Sequence, residues 1–198
     1  MERELAELED KASNDSKNQA AEALVKQLRA RQRVELLKVP IIAEMTEDLL
    51  AEGKSVAIFT NFKATMEALV PKLWPKAGIS CIHGDQTAEE RQTAIDLFQT
   101  DVSRVVLCQT AAGGVGISLH DVTGKHPRAA IISPDWNEKN IIQVIGRVHR
   151  AGGKTPSMQR LLFAAGTIEE QVEKSVRKKI NLLNQLNEKS TCRDDSAV

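Results

Sequence analysis

Two arginines, Arg147 and Arg150, stand three residues apart behind Gly146 in the stretch QVIGRVHRAGGKT, Gln143 to Thr155. A guanidinium stays charged and offers forked donors that match phosphate oxygens, so this spacing points to anion chemistry. On a helix the pair projects from one face with Gln143 a turn earlier, and Gly146 leaves room for close approach. From Lys139 to Arg160 there are five Lys or Arg residues and no Asp or Glu. Two readings fit: surface arginines held in water, or a pair whose charge is completed by a phosphate or by a partner's acid.

The same stretch ends in Gly-Gly-Lys-Thr, like the tail of a loop that cradles phosphates with backbone amides. Such a loop requires G-x-x-x-x-G-K-[ST] between a strand and a helix. Gly153-Lys154-Thr155 needs a glycine where Val148 stands, and Pro156 and a strand-like run follow it. Gly53-Lys54-Ser55 has Asp48 at that position and precedes a strand instead of following one. Neither is a phosphate-binding loop, which sets aside a small kinase of that type. No Asp-Glu pair ends an apolar strand and no Cys/His cluster has ligand spacing, so no metal residue is assigned.

Elements must position these side chains. At 198 residues, with 41% hydrophobic and 27% charged side chains, the chain has the make-up of one globular domain with peripheral helices. Its 27 basic and 27 acidic residues cancel, so phosphate affinity has to come from local patches. Lys26–Lys38, with five basic residues against Glu35, is a second such patch or a solvated helix face. No apolar run approaches the roughly 18 residues of a membrane span. The acidic opening MERELAELED is not a secretory leader, and three scattered cysteines (Cys81, Cys108, Cys192) suit a reduced, intracellular protein.

Residues 1–38 contain no Gly or Pro and read as a helical extension or connector. Pro40 opens a second helix that Gly53 stops. SVAIFT, ISCIHG, RVVLCQT, RAAIISP and QRLLFA are strand-like runs, with helical stretches at Lys63–Leu73, after Thr87, at Asn140–His149 and after Thr167. Thr87 with Glu90, and Thr167 with Glu170, have capping-box spacing. Ile168, Val172, Val176, Ile180 and Leu183 form one apolar stripe. Apolar strands alternating with helices imply an α/β three-layer domain over residues 39–189, built on a mostly parallel sheet of about six strands. Residues 190–198 read as a disordered tail. Ligands of such sheets sit beyond the strands' carboxyl ends, so the loops to watch begin at Thr60, His83, Thr110 and Pro134.

Taken together, five stretches resemble the second RecA-like lobe of Swi/Snf-type superfamily-two helicases and translocases, in family order over about Leu36–Leu186. SPDWNEKNIIQVIGRVHRAGGK is similar to motif VI and its lead-in, with Trp136-Asn137 ahead of the arginines. VVLCQTAAGGVGISL is similar to motif V, and SVAIFTNFKATMEAL to motif IV. CIHGDQTAEERQTAIDLFQ resembles the segment between them, and GTIEEQVEKSVRKK the closing helix. Ala111 and Gly153 depart from the family, which often has Lys or Arg, and Gln, at these places.

The resemblance implies ATP and Mg2+ held mainly by a separate N-terminal RecA-like lobe. It makes Arg147 and Arg150 arginine fingers toward the γ-phosphate, with Gln143, Gly114, Gly116 and Ser118 along the nucleotide. It places Asn61, Lys63, His83, Gly84 and Thr110 along the backbone of double-stranded DNA. Asn61 is equally placed to cap the following helix, and His83 to play a structural part. With no Tyr and 3% aromatic residues, backbone tracking is expected in preference to base stacking. The implied function is the C-terminal lobe of an ATP-dependent DNA translocase or helicase, inactive without its partner lobe. Two alternatives are the second lobe of an RNA helicase and a non-enzymatic module that binds nucleic acid or protein.

Overall fold

A strand buried at every position, β1 (Ser55–Thr60), stands at the centre of the fold. The computed structural model describes residues 22–111, 116–135, 138–150, 152–167 and 169–178. In it β1 pairs in parallel with β3 (Val105–Gln109) on one side and β4 (Arg128–Ile132) on the other. β2 (Ile79–Ile82) and β5 (Met158–Leu161) form the edges, giving the order β2-β3-β1-β4-β5 with all pairings parallel. The described residues thus hold five strands where the sequence suggests about six.

Alternation along each strand assigns the two faces. Val56, Ile58, Val105, Leu107, Ala129 and Ile131 pack against α2 (Val39–Ala51) and α3 (Lys63–Leu73). Ala57, Phe59, Val106, Cys108, Ala130 and Ile132 pack against α4 (Ala88–Gln99) and α5 (Glu138–Val148). Strands apolar on both faces need helices on both, and this is the three-layer α/β arrangement. Pro40 lies in the first turn of α2, where its missing N–H costs nothing. At α4 the capping box forms as spaced: Thr87 Oγ1 accepts from Glu90 N, and Glu90 Oε2 from Thr87 N.

The second box is displaced by one residue. Thr167 Oγ1 donates to Ala164 O at 2.7 Å and accepts from Glu169 N, while Glu170 Oε1 accepts from Gly166 N. The last helix, α6 (residues 169–178), buries Val172 and Val176 beside Ile141. Ile168, Ile180 and Leu183 lie outside the described residues. The leading helix, α1 (residues 22–37), is joined to the body at its carboxyl end, where Glu35 and Lys38 are only 1% and 4% exposed. A boundary drawn at residue 38 therefore passes through a packed junction.

At the amino end of the sheet, Arg128 is fully buried beside the Phe98 ring and donates from Nη1 to Asp101 Oδ1 at 2.6 Å. Thr123 Oγ1 donates to the other carboxylate oxygen of Asp101 at 3.0 Å. Burial alone would raise the Asp101 pKa, but the hydrogen bonds from Arg128 and Thr123 and the Arg128 charge hold it below the usual carboxylate range. A carboxylate with a depressed folded-state pKa adds stability above its unfolded value, near 4, and loses it as pH falls through the folded value. Urea titrations should therefore show the parent losing stability from about pH 4 downward, and Asp101→Asn should lack that component. Equal pH slopes for the two proteins would exclude this role for the pair.

Candidate nucleic-acid and nucleotide surfaces

The carboxyl end of the sheet is organised by one carboxylate from α1. Glu35 Oε1 accepts from Asn61 N at 2.8 Å and from Asn61 Nδ2 at 3.0 Å. Its Oε2 accepts from Phe62 N at 3.1 Å and from Thr65 Oγ1 at 2.7 Å. These donors form the open end of α3, where unpaired amides and the positive end of the helix dipole favour an anion. Asn61 Nδ2 also donates to Pro134 O at 2.7 Å, tying the β1 loop to the β4 loop. The capping alternative for Asn61 fails, because the N-cap is Phe62 and Glu35 does the capping from another helix. Lys38 stands one turn further on and is held by Ser133 Oγ, Leu162 O and both carboxylate oxygens of Glu169.

The structure brings three of the expected nucleic-acid residues together. Lys63 is the first residue of α3, and its Nζ donates to Asp85 Oδ2 at 2.6 Å. His83 Nδ1 lies 3.9 Å from the same oxygen. Gly84, between them in the β2–α4 loop, is exposed and has open space where a Cβ would stand. Thr110 is placed differently from a phosphate contact. It is 4% exposed, and its amide and hydroxyl both donate to Thr60 O, at 2.8 and 3.1 Å. The β3 exit is thereby bound to the β1 exit.

The expected nucleotide residues collect elsewhere. α5 leads back from the carboxyl end of β4, and its last turn lies beside Leu119 and the start of β5. Leu119 N donates to Arg147 O, and Gln159 Nε2 to Ile145 O, each at 2.9 Å. Ile141, Val144 and Val148 are buried at helical spacing, which turns Gln143 and Gly146 to solvent and leaves Arg147 half-buried. A Cβ built on Gly146 meets nothing within 4 Å. Arg150 corrects the expectation of one shared helix face, since α5 ends at Val148 and Arg150 follows it. Its guanidinium turns back instead, with Nε on Gly146 O and Nη2 on Ile117 O, both at 3.4 Å.

Ile117 directly follows Gly116 in the segment after β3. Gly116 has φ +37° and lines an open groove of about 260 Å³ with Arg91, Gln92 and Ile95. Ser118 Oγ is 2.7 Å from His120 Nδ1, and Gln99 Nε2 donates to Ser118 O. Gly153 packs 3.3 Å from Arg150 O at its would-be Cβ, so a side chain there would need that carbonyl to shift. Gly114, Trp136 and Asn137 lie outside the described residues. Among the described residues no group of three His, Cys, Asp or Glu could hold a metal ion. None of their helices is long and apolar enough to cross a membrane. Sequence reading passed over Glu35, Lys38 and Glu169. Their one local signal is that Glu35 is the lone acid of a basic run and shares a helix face with Arg31 and Lys38.

The family model for the helicase conserved C-terminal domain matches residues 17–152. The chain is 39% identical over 186 residues to "Putative ATP-dependent RNA helicase L364" of Acanthamoeba polyphaga mimivirus, covering 93% of this chain and 33% of that protein. It is 32% identical over 169 residues to the CHD3-type chromatin-remodeling factor CHR7 of Arabidopsis thaliana, covering 82% and 13%. Against the mouse SWI/SNF-related regulator of chromatin subfamily A member 1, identity is 27% over 148 residues, covering 73% and 14%. The chain thus spans a third or less of the length of these relatives. In fold it is similar to the crystal structure of the C-terminal part of the Fun30 ATPase domain, with TM-score 0.60 and 23% identity over 69% of this chain and 44% of that one. The Pyrococcus furiosus Hef helicase domain gives TM-score 0.53 and 19% identity, over 70% and 28%.

Removing the Glu35 carboxylate strands the buried Thr65 hydroxyl and the half-buried donors of Asn61 and Phe62, and a buried donor left unpaired costs about 1–3 kcal/mol. Glu35→Ala should lower the unfolding free energy by about 3 kcal/mol or more and speed amide exchange at residues 61–65. Exchange rates there equal to the parent's would show that Glu35 does not order this loop.

Proposed function

The chain belongs to the helicase C-terminal domain family, with relatives of Swi/Snf type, and from that membership we propose that it is the second RecA-like lobe of an ATP-dependent DNA translocase or helicase. The observation that carries the reading is the outward edge at the end of α5. There Gln143, Gly146 and Arg150 are exposed and Arg147 is half-buried, while the opposite side of the helix is sealed into the core. The described residues fit one wall of a nucleotide site: they offer guanidinium donors for phosphate. ATP and Mg2+ are accordingly assigned mainly to an N-terminal lobe of the same polypeptide, and this chain alone neither hydrolyses ATP nor binds it tightly. The metal, when bound there, neutralises phosphate charge.

In this reading water attacks the γ-phosphate in line, and Arg147 and Arg150 stabilise the charge that develops on its oxygens. Arg150 reaches the phosphate by releasing Gly146 O and Ile117 O, contacts long enough to exchange readily. Closure of the two lobes couples this step to the carboxyl edge, where Lys63, His83 and Gly84 meet the duplex backbone and Asn61 and Thr110 hold the loops that present them. Such a protein acts inside the cell. One observation favours a second reading, RNA as the track: the relative covering 93% of the chain carries an RNA helicase name.

In the complete polypeptide, Arg147→Ala should lower nucleic-acid-stimulated ATP turnover about 10³-fold or more while sparing most nucleotide binding. An unchanged turnover rate would remove Arg147 from the site. Running the assay with duplex DNA and with RNA decides between the two tracks.

A further inference from the structure

The carboxyl edge already holds an anion of its own. Lys63 Nζ bonds Asp85 Oδ2 at 2.6 Å with side chains 50% and 71% exposed, and His83 Nδ1 stands 3.9 Å from the same oxygen. The pair faces solvent, where a polyanion reaches it directly. Lys63 opens α3, so its charge sits at the positive end of a helix dipole and is disfavoured without a neighbouring anion. The mutual hydrogen bond, followed by the opposite charges, raises the Lys63 pKa and lowers that of Asp85.

The loop that presents Asp85 is held by other residues. Gln86 Oε1 accepts from His83 N, Gln86 Nε2 donates to Cys81 O, and the Thr87–Glu90 box fixes the start of α4. Among the described residues the only hydrogen bond of Asp85 is the one to Lys63. Its negative charge is therefore not required by the loop's own construction, and its place is where a phosphodiester would meet Lys63 and His83.

We propose that Asp85 is an internal stand-in for a nucleic-acid phosphate, so that a phosphodiester binds Lys63 and His83 by displacing the Asp85 carboxylate. The inference rests on the nucleic-acid reading of this edge given above. An exposed ion pair is weak enough to be exchanged, and the exchange makes Asp85 the residue that sets affinity at this edge. Without that carboxylate, no displaced anion takes up a cation when the phosphate meets Lys63, so net counterion release rises by about one.

The test measures binding of fluorescent duplexes, DNA and RNA in parallel, to the complete polypeptide over a sodium chloride series. Asp85→Asn should bind the preferred duplex roughly tenfold more tightly at low salt, with a log–log salt slope steeper by about one. The double variant Lys63→Ala/Asp85→Asn should lose that gain. If the parent binds and Asp85→Asn matches it in affinity and slope, the stand-in role is overturned and the nucleic-acid reading stands. A gain that survives in the double variant also overturns it, because the effect is then general repulsion. If neither parent nor variant binds either duplex, the reading of the edge falls and the inference with it.

Discussion

A buried ammonium has to be neutralised where it sits, and Lys38 meets Glu169 across 131 residues of sequence. The side chains are 4% and 11% exposed, so leaving either charge without the other in this interior would cost several kcal/mol. The pair can form only if the α1–α2 junction, the exits of β4 and β5 and the start of α6 converge on one point. Ser133 Oγ and Leu162 O complete the ammonium's bonds from those two strands, and Ala164 N completes one of the carboxylate's. About one turn earlier, on α1, Glu35 fixes the exit of β1. Two charged side chains of α1 and its junction thereby hold the exits of three strands, and the carboxyl edge becomes a rigid platform for its loops.

The two candidate surfaces are separate in space but share one chain segment. Thr110 is bound to Thr60 at the carboxyl edge, and Ile117 and Leu119 meet Arg150 and Arg147 at the end of α5. The chain between Thr110 and Leu119 thus runs in sequence from the carboxyl edge to the end of α5. Gly116, with a positive φ, gives that segment a turn that residues with side chains rarely adopt.

How much of this was legible from the residues follows from the range of each interaction. The strands were legible because a strand buried on both faces is a continuous apolar run, as SVAIFT is. The α4 capping box was legible because its partners lie three residues apart. Arg150 departs from the expected shared face because no residue before Gly152 signals a stop, yet α5 ends at Val148. Glu35 was illegible for another reason. Its partners Asn61, Phe62 and Thr65 lie 26 to 30 positions away, and a carboxylate among five basic residues looks solvated until the fold closes over it. The Thr167 box shifted because a threonine hydroxyl can serve two bonds, and spacing does not say which amide it receives.

In a chain of zero net charge the acids compete with any outside anion for the bases. Here the acids divide by burial. Glu35, Asp101, Asp121 and Glu169 are spent inside on helix starts, turns and buried cations, where a phosphate cannot follow. Asp85 is left at the surface, on the edge where Lys63 also lies. From Lys139 to Arg160 no acid is present, so the end of α5 keeps its positive charge without a sequence-local competitor. One of the two surfaces thus carries an exposed anion of its own, in Asp85.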